Sequence, residues 1–226
     1  RMTMGYDGLA QIRDYVKRDR VVPVALEMRY RAVYSTLQGN LPVNDCIRGT
    51  IVDVPVDLRL EYTVVPNVVC CFPVNHYLNG TIGDTPVRAR MLWQLIFNTL
   101  AGNIPVNTGI EWFVDGKRYQ LHIPYTFRSA TARGGGGLSG GGGSTRKKYA
   151  PPKYIRGRMM ESGGGGGAGG GISYEIGRPI AAGLRGQIAD VAVDLRFTYS
   201  HYTNTSSGRN PINVRAAGFL RDAAGS

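Results

Sequence analysis

The stretch Ile47 to Thr63, IRGTIVDVPVDLRLEYT, constrains the fold more than any other. Val52, Val54, Val56, Leu58, Leu60 and Tyr62 share one parity; Asp53, Pro55, Asp57, Arg59 and Glu61 share the other. Alternation at period two predicts a strand with one buried face and one wet face. The same text returns as LRGQIADVAVDLRFTYS, Leu184 to Ser200, with ten of seventeen positions identical and no gap. Burial alone would keep apolar positions apolar. It would not keep outward Asp53, Asp57 and Arg59 in order as Asp190, Asp194 and Arg196. The spacing reads as a duplicated unit. Those six outward residues form a candidate assembly surface, making cross-strand or inter-subunit ion pairs.

A second echo pairs Tyr34–Asn44 with Phe97–Asn107, seven of eleven positions being identical. It implies tandem units of about 63 residues, with a third strand-bearing unit near the C-terminus. Chance likeness among strand segments is the alternative. Val22 to Ser35 alternates in the same way. Asp115-Gly116 between two alternating runs predicts a hairpin over Ile110 to Phe127. Asp7 to Arg20 predicts a short helix, with Leu9, Ile12, Tyr15 and Val16 on one face. Its other face carries Arg13, Lys17, Arg18 and Arg20, which read either as solvated or as facing phosphate or lipid. Thr85 and Pro86 resemble a helix start, and Met91, Leu92, Leu95 and Ile96 an apolar helical face. A packed helix is therefore expected at about 86–101. Loops are expected at Gln38–Pro42 and Asn79–Asp84, and a short helix in the Ala/Gly-rich tail. Together these predict a β-rich α+β fold: antiparallel sheets or a sandwich with one or two packed helices, built on a duplicated strand unit.

The middle of the chain has a different character. Seventeen of the 32 glycines lie between Gly134 and Gly171. Such sequence loses much backbone entropy on ordering and buries no side chains. The expected organisation is therefore a β-rich domain at 1–132, a Gly-rich basic tether at 133–171, and a strand-bearing segment at 172–226 repeating 47–63. Gly134 to Ser144 also resembles an engineered linker.

Net charge is +11, which implies a polyanionic partner, lipid or nucleic acid. Arg146, Lys147, Lys148, Lys153, Arg156 and Arg158 concentrate that charge in the tether, and with the four basic residues of the first helix they are the candidate polyanion contacts. Pro151, Pro152 and Tyr154 form a P-P-x-Y sequence, a preformed polyproline segment suited to a WW domain. Three cysteines (Cys46, Cys70, Cys71) are too few for a disulfide framework, which points to a reducing compartment. Beside His76 they offer too few ligands for zinc, and no cofactor is expected. No apolar run approaches a membrane span. His76, His122 and His201 belong to no catalytic pattern. Gly137-Leu138-Ser139-Gly140-Gly141 fits a nucleophile elbow in letters only, since poly-Gly gives neither the strand nor the helix that elbow needs. The chain is read as a non-enzyme.

Lys147 to Tyr154, KKYAPPKY, looks like the basic run and late-domain motif of rhabdovirus matrix proteins. Leu100 to Trp112, chiefly Pro105-Val106-x-x-Gly109-x-x-Trp112, is similar to a segment of lyssavirus-type matrix proteins. These matches cover about a tenth of the chain. The resemblance implies a viral structural protein that self-assembles, binds the inner membrane face and the nucleocapsid, and recruits WW-domain ubiquitin ligases. Its places would be the virion, the host cytoplasm and membrane, or the nucleus. The alternative is a capsid or nucleic-acid-binding protein with a basic Gly-rich arm.

Overall fold

The computed structural model describes residues 8–35, 39–66, 71–98, 102–114, 116–129, 177–204 and 208–223. One helix, α1 (Gly8–Asp19), precedes twelve strands: β1 (Val21–Ser35), β2 (Gly39–Ile51), β3 (Val54–Pro66), β4 (Cys71–Ile82), β5 (Thr85–Asn98), β6 (Gly102–Val114), β7 (Lys117–His122), β8 (Tyr125–Ser129), β9 (Gly177–Ala181), β10 (Gly183–Ile188), β11 (Val191–Asn204) and β12 (Gly208–Asp222). Ten of them close an antiparallel barrel in the order β1-β12-β11-β10-β7-β6-β5-β4-β3-β2. The other two, β8 and β9, pair with each other and continue β7 and β10 beyond Pro124 and Ala182, whose backbones are joined by a 2.7 Å hydrogen bond. Strands from both sides of the Gly-rich segment therefore build one barrel unit, Arg1–Ala132 with Glu175–Ser226. Residues 133–174, with the P-P-x-Y sequence and the six basic tether residues, lie outside the described residues.

The barrel is five hairpins: β1–β2, β3–β4, β5–β6, β7/β8–β9/β10 and β11–β12. Near the turns each hairpin bonds to both neighbours; β2 meets β3 only over Cys46–Ile51 and Val54–Arg59, for instance. Beyond that level the hairpins continue as two-stranded arms. A bulge marks the change at Arg29/Tyr30, Glu61/Tyr62, Leu92/Trp93 and Thr198/Tyr199, where an extra residue bends a strand and interrupts its ladder.

Several expectations change. Ile47–Thr63 is not one strand: β2 ends at Ile51, the chain turns at Val52-Asp53 and β3 begins at Val54. The C-terminal copy turns likewise at Ala189-Asp190. Val52 and Ala189 adopt positive φ of 56° and 53°. The alternation misled because a tight turn interrupts it so briefly. Val52, placed on the buried parity, is 40% exposed. The units are also shorter than 63 residues. Asn44, Asn75 and Asn107 recur at separations of 31 and 32, one per hairpin.

The helix expected at 86–101 is strand β5. Val87, Ala89 and Met91 are buried while Arg88 and Arg90 are exposed, and β4 and β6 supply ladders on both sides. The apolar residues fit both periods, and neighbours able to satisfy the backbone decided the outcome. The tail expected to be helical is β12, held between β11 and β1. A Cβ on Gly218 would lie 2.1 Å from the Asp194 carbonyl oxygen, so the glycine there permits close strand contact. Asn79-Gly80 lies within β4, leaving Gly83-Asp84 as the turn, and Gly39–Pro42 begins β2. The expected hairpin at Asp115-Gly116 forms between β6 and β7.

Candidate functional site: a plugged apolar chamber and a ring of arms

The inner face of the barrel is apolar in every hairpin. Val22, Val24 and Leu26 face inward from β1, as do Val54, Val56 and Leu58 from β3 and Val191, Val193 and Leu195 from β11, in one continuous core. The outer wall carries Asp57, Arg59, Arg88, Arg90, Asp194 and Arg196, all exposed. That polarity is opposite to a membrane-spanning barrel, which is apolar outside. No helix among the described residues is long and apolar enough to cross a membrane.

One inner layer shows how the wall is fitted together. Leu26, Leu58 and Leu195 stand across from Gly49, Gly80 and Gly218, and Gly186 lies against Leu121, whose Cδ2 would be 2.7 Å from an added Cβ. The β5–β6 hairpin exchanges the sizes: Ala89 pairs with Trp112. Ten strands enclose more space than side chains readily fill. A cavity of about 360 Å³ remains, lined by Leu58, Ala89, Ile110, Trp112, Leu121 and Leu195 among others.

Helix α1 plugs the turn end. Its Ile12 and Val16 are buried in the barrel core. Gly8 sits so close to the β4–β5 turn that a Cβ would fall 2.2 Å from the Ile82 carbonyl oxygen. The Leu9 N–H donates to Thr85 Oγ1 (3.3 Å), and the Tyr15 hydroxyl donates to Asp53 Oδ2 (3.3 Å). Arg13 and Lys17 both bind Asp190, at 2.8 and 3.0 Å. The hydrogen bond from Arg13 holds the Asp190 carboxyl down at about 2; partial burial opposes this, and Lys17 adds to it.

The candidate residues of the sequence thus have distinct places. Asp53 and Asp190 are turn residues that receive α1, and Arg13 and Lys17 are held by Asp190. Arg18 binds Asp19 and lies 4.7 Å from the Tyr15 ring. Arg20 joins α1 to β1 with a φ of 60°. The basic helical face is therefore partly used up in holding the plug. Asp57 and Asp194 pair across strands with Arg48 (2.9 Å) and Arg185 (3.3 Å) in equivalent positions. Arg59 and Arg196 project from the same outer wall. Cys46 is buried. Among the described residues no group of three or more His, Cys, Asp or Glu could hold a metal.

The arm end closes by repetition. A proline recurs in the second strand of every hairpin: Pro42, Pro73, Pro105, Pro179 and Pro211. These five gather around a small cavity of about 90 Å³. Lacking an N–H, proline suits the arm strand, where no neighbouring ladder calls for a donor. Two residues after each proline stands Asn44, Asn75, Asn107, Ala181 or Asn213. The asparagine side chains form a chain of hydrogen bonds between hairpins. Asn107 donates to the Asn75 carbonyl (2.8 Å), Asn75 to that of Asn44 (2.8 Å), Asn44 to that of Asn213 (2.8 Å), and Asn213 to that of Ala181 (2.9 Å).

An aromatic residue pairs with each member of this ladder: Tyr30, Tyr62, Trp93, Tyr125 and Tyr199. Two residues on, Val64, Leu95 and Phe127 are 42%, 49% and 41% exposed, and Tyr34 is 74% exposed. Cations stand among them: Arg31 lies 5.0 Å from the Tyr62 ring centroid and Arg128 lies 4.7 Å from that of Tyr199. Sequence reasoning missed this ring. Its signal was the recurrent Pro-x-Asn with an aromatic about fourteen residues earlier, visible only once the repeat is counted at 32 rather than 63. Comparison with protein families, with curated proteins and with solved structures finds no match to this chain.

Proposed function

We propose that this chain is a non-enzymatic, matrix-like structural protein of a virion, whose arm end rests on an anionic membrane. The observation that supports this reading is the ring of exposed aromatic and aliphatic residues on the arms, with arginines beside the rings. Amphipathic aromatics favour the membrane interface, and arginines favour anionic headgroups. A closed barrel leaves no sheet edge within its wall to aggregate, so assembly would run through side chains such as Arg59 and Arg196 on that wall. The Gly-rich segment would add a basic, salt-sensitive contact, and its P-P-x-Y sequence a dock for a WW-domain ubiquitin ligase. Nucleocapsid binding belongs to the same proposal and rests on the matrix resemblance.

Co-sedimentation with vesicles tests it. The full chain is expected to bind phosphatidylserine vesicles and not pure phosphatidylcholine ones. Replacing Trp93, Leu95 and Phe127 together by Ser is expected to lower binding at least tenfold, and Tyr154→Ala to reduce particle release in cells. Unchanged vesicle binding by the triple variant would sink the arm-end reading. Salt-sensitive retention of RNA by the arms in its place would favour the capsid-like reading, since arginine–aromatic platforms also stack bases.

A further inference from the structure

We infer that the barrel chamber is a binding site for the acyl chain of a single-chain anionic lipid, with the charged end at the mouth beside Lys117. The proposal is independent of the membrane-facing arms. A volume of about 360 Å³ lies within the range of small-molecule sites, and apolar walls with few polar groups are their usual lining. Here the deep wall is Leu58, Ala89, Ile110, Trp112 and Leu195, which offers a ligand no charge. Thr85, Tyr119 and Arg13, the groups of the lining with polar side chains outside the indole, all lie at the turn end, on or near the β4–β5 and β6–β7 turns and on α1. Leu41, Phe72 and Ile104 pack together at the opposite end. A ligand with one polar end therefore enters chain first from the turn end.

The plug leaves room for that entry. Helix α1 packs on β12, β1 and β3 and bonds to the β2–β3, β4–β5 and β10–β11 turns through Tyr15, Leu9 and Arg13, whereas Phe113, Val114 and Tyr119 line the cavity from the β6–β7 hairpin. Phe113 is 60% exposed at this lip, where an apolar ring can meet an incoming chain. The Lys117 ammonium stands 5.4 Å from the Tyr119 ring centroid, which places a cation at the mouth. The charge of Arg13 is engaged by Asp190 and that of Arg118 by Glu111. An anionic headgroup above a hydrocarbon tail matches this order of apolar wall, aromatic lip and ammonium.

The two tryptophans of the chain give a direct readout. Trp93 is on an arm and Trp112 is in the chamber wall, so Trp93→Phe leaves Trp112 as reporter. Titration of that full-length variant with 12-bromododecanoate, below its micelle concentration, is expected to quench Trp112 saturably at one molecule per chain. Unbrominated dodecanoate should reverse the quenching. Dodecanol should compete at least tenfold less well, and Lys117→Gln should erase that difference. Ala89→Phe and Val193→Phe, which fill the chamber from opposite walls, should each abolish saturable quenching while an unchanged circular dichroism spectrum reports an intact barrel. Quenching that never saturates, or that dodecanoate fails to reverse, would overturn the site without recourse to any filled variant. Equal competition by dodecanol would overturn the charged end. Competition by lauroyl-lysophosphatidylglycerol alongside dodecanoate would support a site open to membrane-derived chains; competition by neither would overturn the assignment.

Discussion

The two ends of the barrel are closed by opposite means. At the arm end the hairpins bring nearly the same residues: a proline on the axis and an aromatic outside in all five, and in four an asparagine reaching the next hairpin's carbonyl, with Ala181 in its place in the fifth. At the turn end the repeat offers only tight turns, too short to reach the axis, and a single unrepeated helix fills the opening. It does so through different chemistry at each turn: glycine contact at Ile82, hydroxyl to carboxylate at Asp53, and ion pairs at Asp190. Repetition can close an opening only where one side chain satisfies its own copy in the neighbour. Where it cannot, closure is asymmetric, and that asymmetry is what leaves a mouth beside β6 and β7.

The largest test concerns the wall that joins the two ends. Trp112→Gly is expected to cost about 3–5 kcal/mol as a large core truncation. Ala89→Leu alone should cost about 1–3 kcal/mol by overpacking. Together they recreate the Leu–Gly pairing of the other hairpins and should recover about 1–3 kcal/mol of the summed loss. Denaturant unfolding of all four proteins measures this, and strict additivity would show that the size exchange is not compensating.

The ladder at the arm end comes next. Asn75 is buried, and its side chain donates to the Asn44 carbonyl. Asn75→Ala is expected to cost about 1–3 kcal/mol, because that carbonyl loses its partner where water cannot replace it. Amide exchange should quicken in the arms first and leave α1 protected.

Gly8→Ala is the corresponding break at the turn end. The added methyl meets backbone, which cannot swing aside, so a cost of about 1–3 kcal/mol is expected, confined to α1. Exchange should quicken in α1 with the ladder unchanged. Loss of protection at both ends in either variant would mean that the two closures are not separable.

The smallest effect is electrostatic. The Asp190 carboxyl titrates at about 2 when folded, against 3.8 for the unperturbed group. Its folded pKa is depressed, so its contribution is fully present above pH 3.8 and is lost as pH falls from 3.8 to about 2. The partners Arg13 and Lys17 are 41% and 55% exposed, and solvent screening keeps the contribution to about 1 kcal/mol or less. Asp190→Asn should flatten the acid limb of the stability profile in that window. An unchanged slope would remove Asp190 as an anchor of the plug.

The first helix, the β6–β7 hairpin and the strand-rich character were all legible in the sequence, because each rests on local signals: an amphipathic run, Asp-Gly, and alternation. The duplicated Asp53 and Asp190 were also visible, yet their role was not. They bind α1, and nothing local tells a carboxylate in a turn which helix it will meet. The β5 residues from Thr85 to Asn98 satisfied two periods at once, and only the Arg88/Arg90 alternation hinted at the correct one.

By itself the sequence determined that the chain is β-rich, that it repeats, and that its core is aliphatic, since periodicity and composition are local properties of the text. Tertiary structure decided that five hairpins close into one ring across the Gly-rich segment, that Ala89 and Trp112 exchange sizes, and that a plugged apolar chamber lies within. These depend on which strand finds which neighbour. That choice is made by backbone hydrogen bonds and packing between residues as far apart in the chain as Val21 and Arg221, which face each other between β1 and β12, and no window of sequence contains it.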